Sequence, residues 1–161
     1  MDHPLLNAAK NVLNVLKANS LNLATAESCT AGLIGMTLCA ASEGGANYSS
    51  GFVTYDDTAK SIMLGVKSET LSHFSAVSAQ AVKEMAQGAN RAAKTQVALS
   101  VSGYAGPQGG DDGTPAGTIW FAWAFGTERV IAEVKHFEGD CEAVIHQAAL
   151  FSLERLASLL A

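Results

Sequence analysis

The chain has 161 residues, of which 48% are hydrophobic, and a formal net charge of −5. This length and apolar content predict one globular domain over residues 1–161 and exclude a disordered chain. Only 10 residues are Lys or Arg against 15 Asp or Glu, so the chain lacks the excess of basic charge typical of proteins that bind nucleic acids.

The hydropathy pattern indicates neither a membrane protein nor a secreted one. The longest apolar run, Ile119–Phe125, is far shorter than the ~20 residues that a membrane-spanning helix requires. The sequence begins with Asp2 and His3 after the first residue, whereas a secretion signal has basic residues followed by an apolar stretch. We therefore expect a soluble, cytoplasmic protein with no membrane partner.

The cysteines and histidines show no disulfide or metal pattern. Cys29 and Cys39 fall on one predicted helix, about 15 Å apart along its axis, which is too far for a disulfide. The third cysteine is Cys141, and no two of the four histidines have the helical or finger spacing of zinc ligands. We expect reduced cysteines, no metal and no cofactor.

Hydrophobic periodicity predicts alternating helices and strands in the first part of the chain. After Pro4, apolar residues recur at helical spacing as far as Leu16, and the run Leu21–Ala26 predicts a buried strand. A helix over Thr30–Ala41 and a strand over Tyr48–Tyr55 follow.

The rest of the chain continues this order. Asp56 or Asp57 is expected to cap a short helix that Gly65 ends, and Ser78 to precede a helix over Ala79–Ala93. The later segments are a strand over Val97–Ser102, a Gly-rich loop over Gly103–Gly117, a hairpin of Thr118–Phe125 and Val130–Phe137, and a helix from about Asp140 toward Leu160. This order predicts an α/β sandwich with a mixed sheet.

Ser28 is the candidate nucleophile. It lies in TAESCTAG, Thr25–Gly32, where a strand gives way to a helix whose N–H groups can hold an oxyanion. Because a hydroxyl needs a base, the segment GFVTYDDTAK, Gly51–Lys60, is informative. Lys60 lies one helical turn beyond the strand end and is the candidate base, provided that burial lowers its pKa. Tyr55, at the strand end, is placed to orient the amine or to relay a proton.

Each candidate also has an ordinary structural interpretation. A serine at a helix start is typical of an N-cap, and Lys60 lies four residues after Asp56, the spacing of a surface ion pair. Cys29 is a rival nucleophile, although no His with an orienting partner is evident. In the Gly-rich loop, the glycines lack the Gly-Lys-Ser/Thr ending of a P-loop, and Asp111 and Asp112 are more typical of a turn than of a cation site.

Four segments, taken in order, resemble the CinA C-terminal domain family. They are TAESCTAG at Thr25, VTYDDTAKSIMLGV at Val53–Val66, SGYAGPQGG at Ser102–Gly110 and TPAGTIW at Thr114–Trp120. The resemblance extends from the first helix to the last. It implies a three-layer α/β/α sandwich with a mixed sheet and a homodimer. It also implies a standalone form of the domain, because full-length CinA proteins carry a further amino-terminal domain.

The characterised activity of this family is nicotinamide mononucleotide deamidase. The resemblance implies that Ser28 attacks the carboxamide with Lys60 as its partner and Tyr55 associated with them, releasing ammonia and then nicotinate mononucleotide from an acyl-enzyme. No metal or cofactor is implied, and the partner is a small pyridine mononucleotide. The helix start makes the N–H groups near Cys29 and Thr30 candidates for the oxyanion hole. The residues expected to bind substrate are Cys29, Thr30, Gly103, Ala105, Gly106 and Cys141.

The chain departs from the family pattern at the start of the last helix. That helix usually begins Gly-Asp-Arg and carries a second Arg four residues later, whereas Cys141 and Ile145 occupy these positions here. Since an Arg pair is suited to holding a phosphate, an alternative is a family member that keeps the Ser/Lys pair but binds or hydrolyses another amide. A third hypothesis, a purely structural dimer, predicts no cleft at Ser28. Asp57 also stands where the family commonly has Asn.

No residue is favoured as a replacement for the missing arginines. The candidates for a phosphate contact are Arg129, Lys135, His136 and His146. Each of these is more often a solvated or structural residue than a ligand.

Overall fold

The strands form one five-stranded mixed sheet. In the computed structural model, which describes residues 2–161, they are β1 Leu23–Glu27, β2 Tyr48–Val53, β3 Val97–Gly103, β4 Thr118–Phe125 and β5 Arg129–His136. The strand order is β2-β1-β3-β4-β5, with β2, β1 and β3 parallel and β4 antiparallel to both of its neighbours. The predicted mixed sheet is confirmed.

Helices cover both faces of this sheet. They are α1 His3–Ala18, α2 Leu33–Ser42, α3 Asp57–Leu64, α4 Ser68–Phe74, α5 Ala79–Ala93 and α6 Cys141–Leu160. α1, α2 and α6 pack on one face, whereas α5 packs on the other with α3 and α4 beside it. The three-layer α/β/α sandwich is therefore confirmed. Among residues 2–161, no helix combines the length and hydropathy that crossing a bilayer requires.

The two faces of the sheet differ in the size of their side chains. Toward α6 the sheet presents large residues such as Phe121 and Trp123, and the Trp123 indole donates to the Ser152 carbonyl at 3.1 Å. Toward α5 it presents mostly alanine. These small residues are Ala24, Ala26, Ala98, Ser100, Ala122 and Ala124. The small face lets α5 approach closely enough for the Ser100 hydroxyl to donate to the Val82 carbonyl at 2.6 Å.

Side-chain caps fix the starts of the helices that were predicted from sequence. Asp56, Ser78 and Asp140 accept hydrogen bonds from backbone N–H groups of α3, α5 and α6 at 2.7, 3.1 and 2.9 Å. Each such cap contributes about 1 kcal/mol. Gly65, with φ of +71°, ends α3 as expected. These predictions are confirmed, and the cap at Asp56 fixes the start of the helix that carries Lys60.

Two local predictions need correction. α2 begins at Leu33 rather than at Thr30, because residues 30–32 form a turn in which Ala31 and Gly32 have φ of +50° and +101°. The seven-residue helix α4 has no counterpart among the predicted elements, since so short a segment shows no clear helical period.

The carboxyl ends of the three parallel strands meet at one edge of the sheet. The Ser28 N–H donates to the Val101 carbonyl at 3.0 Å, and the Thr54 N–H donates to the Glu27 carbonyl at 2.9 Å, so the strand ends are tied together. The chain leaves β1 through α2 on one face and leaves β2 through α3–α5 on the other. The end of β1 is thus a topological switch point, the usual position of a ligand site in an open α/β sheet.

Candidate active site

Ser28 lies at this switch point, directly after β1. Its side chain is buried but borders an open cleft. The Ser28 Oγ is 3.1 Å from the Nζ of Lys60 and 3.4 Å from the carbonyl oxygen of Tyr55. The hydroxyl therefore has an amine and a backbone acceptor within reach, and Ser28 is not the N-cap of α2, a position that Gly32 occupies.

Lys60, on α3, is 1% exposed. Its Nζ lies 2.9 Å from the Thr54 carbonyl oxygen and 3.1 Å from that of Tyr55, in addition to the contact with Ser28. No salt bridge joins Lys60 to a carboxylate within residues 2–161, and the Asp56 side chain is used as the cap of α3. The interpretation of Lys60 as a surface lysine paired with Asp56 is wrong.

The position of Lys60 suits it to act as a base. Burial lowers the pKa of the Lys60 amine below its ordinary value of 10.5, although the carboxylates of Asp57 and Asp56 oppose this change. A neutral amine has two N–H bonds and one lone pair. With both N–H bonds donated to the carbonyls of Thr54 and Tyr55, the lone pair faces the Ser28 hydroxyl. The ammonium form instead donates to Ser28, whose hydroxyl then donates to Tyr55.

Tyr55 takes part through its backbone. Its carbonyl oxygen is shared by Lys60 and Ser28, whereas its side chain is 75% exposed on the cleft wall. Within residues 2–161 the Tyr55 hydroxyl forms no hydrogen bond to either of these residues. The Tyr55 carbonyl, rather than its side chain, thus contacts the amine. The predicted proton relay through the phenol has no contact to support it.

Cys29 is unsuited to nucleophilic attack. Burial raises the pKa of its thiol to about 12, and the nearby Glu27 carboxylate acts in the same direction. Since the thiolate is the reactive form of cysteine, a raised pKa disfavours Cys29 as the nucleophile. The Cys29 thiol is therefore a weaker candidate nucleophile than the Ser28 hydroxyl with Lys60 beside it.

A cleft of about 710 Å³ opens at Ser28. The expected site residues that line it are Ser28, Cys29, Tyr55, Lys60, Gly103, Ala105, Gly106 and Cys141. Thr30 is not on its wall, because it is buried and its hydroxyl donates to Glu27 at 2.7 Å. The existence of the cleft contradicts the third hypothesis, which predicts none.

Some residues of the cleft wall were not predicted as site residues. Tyr104 and the segment Ser75–Val77, between α4 and α5, lie on it. The sequence does not indicate that Ser75–Val77 lines the cleft, because the position of this segment depends on how α4 and α5 pack. Its one local mark is the positive φ of Ser75, +69°, which only the structure reveals.

The sequence matches a known family over most of its length. The sequence model of the CinA C-terminal domain family matches residues 6–160. The chain belongs to the CinA C-terminal domain family. The family membership predicted from the four motifs is confirmed.

Relatives of this CinA C-terminal domain cover most of its length. Protein YdeJ of Escherichia coli K12 is 48% identical over 145 residues, 90% of this chain and 84% of the relative. Nicotinamide-nucleotide amidohydrolase PncC of Escherichia coli K12 is 41% identical over 155 residues, 96% of this chain and 94% of the relative. The crystal structure of a CinA superfamily protein from Klebsiella pneumoniae 700603 is 44% identical, with a TM-score of 0.94 over 97% of each chain.

The cleft of this CinA C-terminal domain carries little charge. Its charged lining residues are Asp57 and Lys60, while Cys141 and Ile145 present neutral side chains. Arg129, Lys135, His136 and His146, the other candidates for a phosphate contact, are not among its lining residues. Within residues 2–161, no three His, Cys, Asp or Glu side chains converge as metal ligands.

Asp57→Asn is expected to shift the pH dependence of catalysis to lower pH. Among the groups that raise the pKa of Lys60, the Asp57 carboxylate has the largest effect, so its removal lowers that pKa further. The rising limb of kcat/KM against pH follows deprotonation of Lys60 and moves with it. The measurement is this profile for wild type and variant, with the remote substitution Glu128→Gln as control. An unmoved limb, or one moved to higher pH, contradicts Lys60 as the base.

Proposed function

We propose that this protein is a cytoplasmic serine amidohydrolase that converts nicotinamide mononucleotide to nicotinate mononucleotide and ammonia. The observation that carries the proposal is the 3.1 Å contact between the Ser28 hydroxyl and the buried Lys60 amine at the mouth of a cleft. Relatives that bear the name nicotinamide-nucleotide amidohydrolase support the substrate class. The reaction needs no metal or cofactor.

The reaction begins with proton transfer from Ser28 to Lys60. As the neutral Lys60 amine accepts the proton, Ser28 Oγ attacks the carboxamide carbon and forms a tetrahedral oxyanion. The Lys60 ammonium then donates its proton to the departing nitrogen, the C–N bond breaks, and ammonia leaves an ester on Ser28. Water, deprotonated by Lys60, attacks that ester and releases the carboxylic acid with the Ser28 hydroxyl restored.

A second candidate function is hydrolysis or binding of an amide that carries no phosphate. The charge of the cleft favours it, because Lys60 is the one cation among the lining residues and is engaged by Ser28. A phosphate would meet the neutral Cys141 and Ile145 side chains where an Arg pair is expected. Nicotinamide riboside lacks the phosphate and keeps a cationic pyridinium ring, which the carboxylate of Asp57 attracts.

The experiment that tests both candidates measures ammonia release from nicotinamide mononucleotide and from nicotinamide riboside. The first candidate predicts turnover of the mononucleotide, lost in Ser28→Ala. A higher kcat/KM for the riboside favours the second candidate. If wild type and Ser28→Ala are equally inactive on both compounds and neither compound binds, both candidates are wrong.

The double variant Cys141→Arg with Ile145→Arg separates the role of charge from that of shape. It is expected to lower KM for the mononucleotide and to leave KM for the riboside unchanged, because the guanidinium groups pair with the phosphate. Cys141→Gln with Ile145→Gln adds comparable bulk without charge and serves as the control. Equal KM values in the three proteins contradict the assignment of this wall to the phosphate.

We also infer that the protein is a homodimer, as the family resemblance implies. Exposed apolar side chains support this: Met36, Val53, Ile62 and Met63 are each more than half exposed. The particle mass from light scattering distinguishes one chain from two.

A further inference from the structure

Glu27 is a buried carboxylate next to the candidate nucleophile that the proposed reaction does not use. It is 2% exposed. Its Oε1 accepts hydrogen bonds from the Thr30 hydroxyl at 2.7 Å, the Gly32 N–H at 3.2 Å and the Ile34 N–H at 3.0 Å. Its Oε2 accepts from the Gly35 N–H at 2.9 Å. Glu27 thus reaches forward from β1 across the whole turn that follows Ser28.

These bonds occupy the amino terminus of α2. Gly32, the N-cap residue, has no side chain to satisfy the free N–H groups of the first turn, and the Glu27 carboxylate satisfies them instead. Its negative charge also meets the positive end of the helix dipole. The first N–H groups of α2 are therefore already engaged and are not available to an oxyanion.

Two N–H groups of the turn, those of Cys29 and Thr30, are not engaged by other oxygens within residues 2–161, and one of them belongs to Cys29, which lines the cleft. Both belong to the connector between Glu27 and α2, and the carboxylate of Glu27 holds the end of that connector at Thr30 and Gly32. The backbone φ of Ala31 in this turn is +50°, a value that residues other than glycine rarely adopt. External bonds are needed to hold such a turn in one conformation.

We propose that Glu27 is a positioning residue for the oxyanion hole. Its carboxylate fixes the turn after Ser28 so that the N–H group of Cys29, a residue of the cleft wall, is directed at the oxyanion that forms during attack. The inference rests on the proposed amidohydrolase reaction. Oxyanion donors act through their preorganised direction, so a small rotation of this peptide is enough to weaken catalysis. Glu27 itself contacts neither Ser28 Oγ nor Lys60 Nζ and is not a base.

Glu27→Gln keeps the shape of the side chain but replaces one acceptor oxygen with an NH₂ group, which faces backbone N–H donors. It is expected to lower kcat about 10²-fold with KM unchanged, because a misplacement of about 1 Å costs roughly that factor and acts only on the transition state. Thr30→Val removes the bond to Glu27 and is expected to lower kcat by a smaller factor. Thr30→Ser keeps the hydroxyl that donates to Glu27 and is expected to lower kcat by less than Thr30→Val does.

Glu84→Gln is the matched control. Glu84 also accepts from a backbone N–H, that of Lys67 at 2.9 Å, and from a hydroxyl, that of Thr70 at 2.6 Å. It ties α4 to α5 and does not touch the turn after Ser28. A merely structural role for Glu27 predicts that both Gln variants lower the melting temperature and that neither lowers kcat beyond its loss of folded protein. That result would overturn the inference.

A fluorophosphonate probe separates this inference from the proposed function. Ser28 Oγ bonds to phosphorus, fluoride leaves, and the Ser28 proton passes to Lys60, so labelling needs the nucleophile and the oxyanion donors but no amide. Labelling of wild type with slow labelling of Glu27→Gln and Thr30→Val supports the inference. Equal labelling rates in all three overturn it alone. Absence of both labelling and ammonia release in wild type overturns the proposed function and the inference together.

Discussion

Lys60→Met is expected to lower kcat/KM for the amide substrate by about 10³-fold, within the range that general-base catalysis supplies. Methionine is unbranched and of similar length, so it fills the same buried space without a basic nitrogen. The Ser28 hydroxyl then has only the Tyr55 carbonyl as an acceptor, and a carbonyl does not accept its proton during attack. Initial rates of ammonia release measure the loss.

Two further substitutions separate the base from the charge at this position. Lys60→Arg keeps a cation that does not deprotonate, so it is expected to be as inactive as Lys60→Met. Lys17→Met removes an exposed lysine of α1 and is expected to leave the rate unchanged. If either Lys60 variant keeps more than about a tenth of wild-type activity, another group acts as the base.

The Lys60→Met variant also tests the lowered pKa of Lys60, through the pH dependence of the free energy of unfolding. Burial lowers the pKa of the native amine, whereas the unfolded chain binds this proton up to about pH 10.5. Between these two pKa values the unfolded state binds more protons than the native state. The contribution of Lys60 to the free energy of unfolding therefore increases as the pH rises through that interval. Urea denaturation at a series of alkaline pH values is expected to show this gain in wild type relative to Lys60→Met. Parallel curves contradict a lowered pKa.

Gly88→Ala is expected to destabilise the protein by about 1–3 kcal/mol, the usual cost of overpacking a core. Gly88 lies on α5, and a Cβ there would fall 1.9 Å from the Leu64 carbonyl oxygen at the end of α3. A carbonyl oxygen belongs to the backbone, so the clash is relieved only if α3 moves. Helix propensity alone predicts the opposite sign, since Ala exceeds Gly by about 1 kcal/mol. The clash is the larger effect.

This substitution also has a catalytic consequence, because α3 carries Lys60. Displacement of α3 lengthens the 3.1 Å contact between Lys60 and Ser28, and activity is expected to fall by more than the loss of folded protein. Urea denaturation and ammonia release on the same samples separate the two effects. Gln87→Ala, on the same helix, is the control and is expected to change stability by less than about 0.5 kcal/mol. A more stable Gly88→Ala protein contradicts the close packing of α3 on α5.

Local chemistry explains which parts of the fold are predictable from sequence. The caps at Asp56, Ser78 and Asp140 act within three residues of chain, so the residue types alone indicate them. The strands follow from apolar runs in the same way. α4 and the start of α2 do not, since α4 is held by packing against α5 and the start of α2 is delayed by a turn that Glu27 stabilises.

The candidate site shows the same division. Ser28 and Lys60 come together because Ser28 follows β1, Lys60 lies on the helix that follows β2, and these two strands are parallel neighbours. The hydrogen bond from Lys60 to the Tyr55 carbonyl depends on how the backbone turns into α3, so the residue type at position 55 does not predict it. Thr30 was expected to line the cleft, but its hydroxyl is drawn inward by Glu27. Residue type predicted which residues gather at the cleft better than it predicted the direction of each side chain.

The two walls of the cleft are built from separate parts of the chain. Ser28 follows β1 and Lys60 lies on α3, whereas the facing wall comes from the loop after β3. This loop is closed by bonds such as that from the Tyr104 N–H to the Thr118 carbonyl at 3.0 Å. Substitutions in that loop, or at Cys141 and Ile145, therefore alter what is recognised without disturbing proton transfer. After a gene duplication, one copy is free to drift toward a new ligand while its reactive serine stays intact. Directed evolution of new amide preferences has the same starting point.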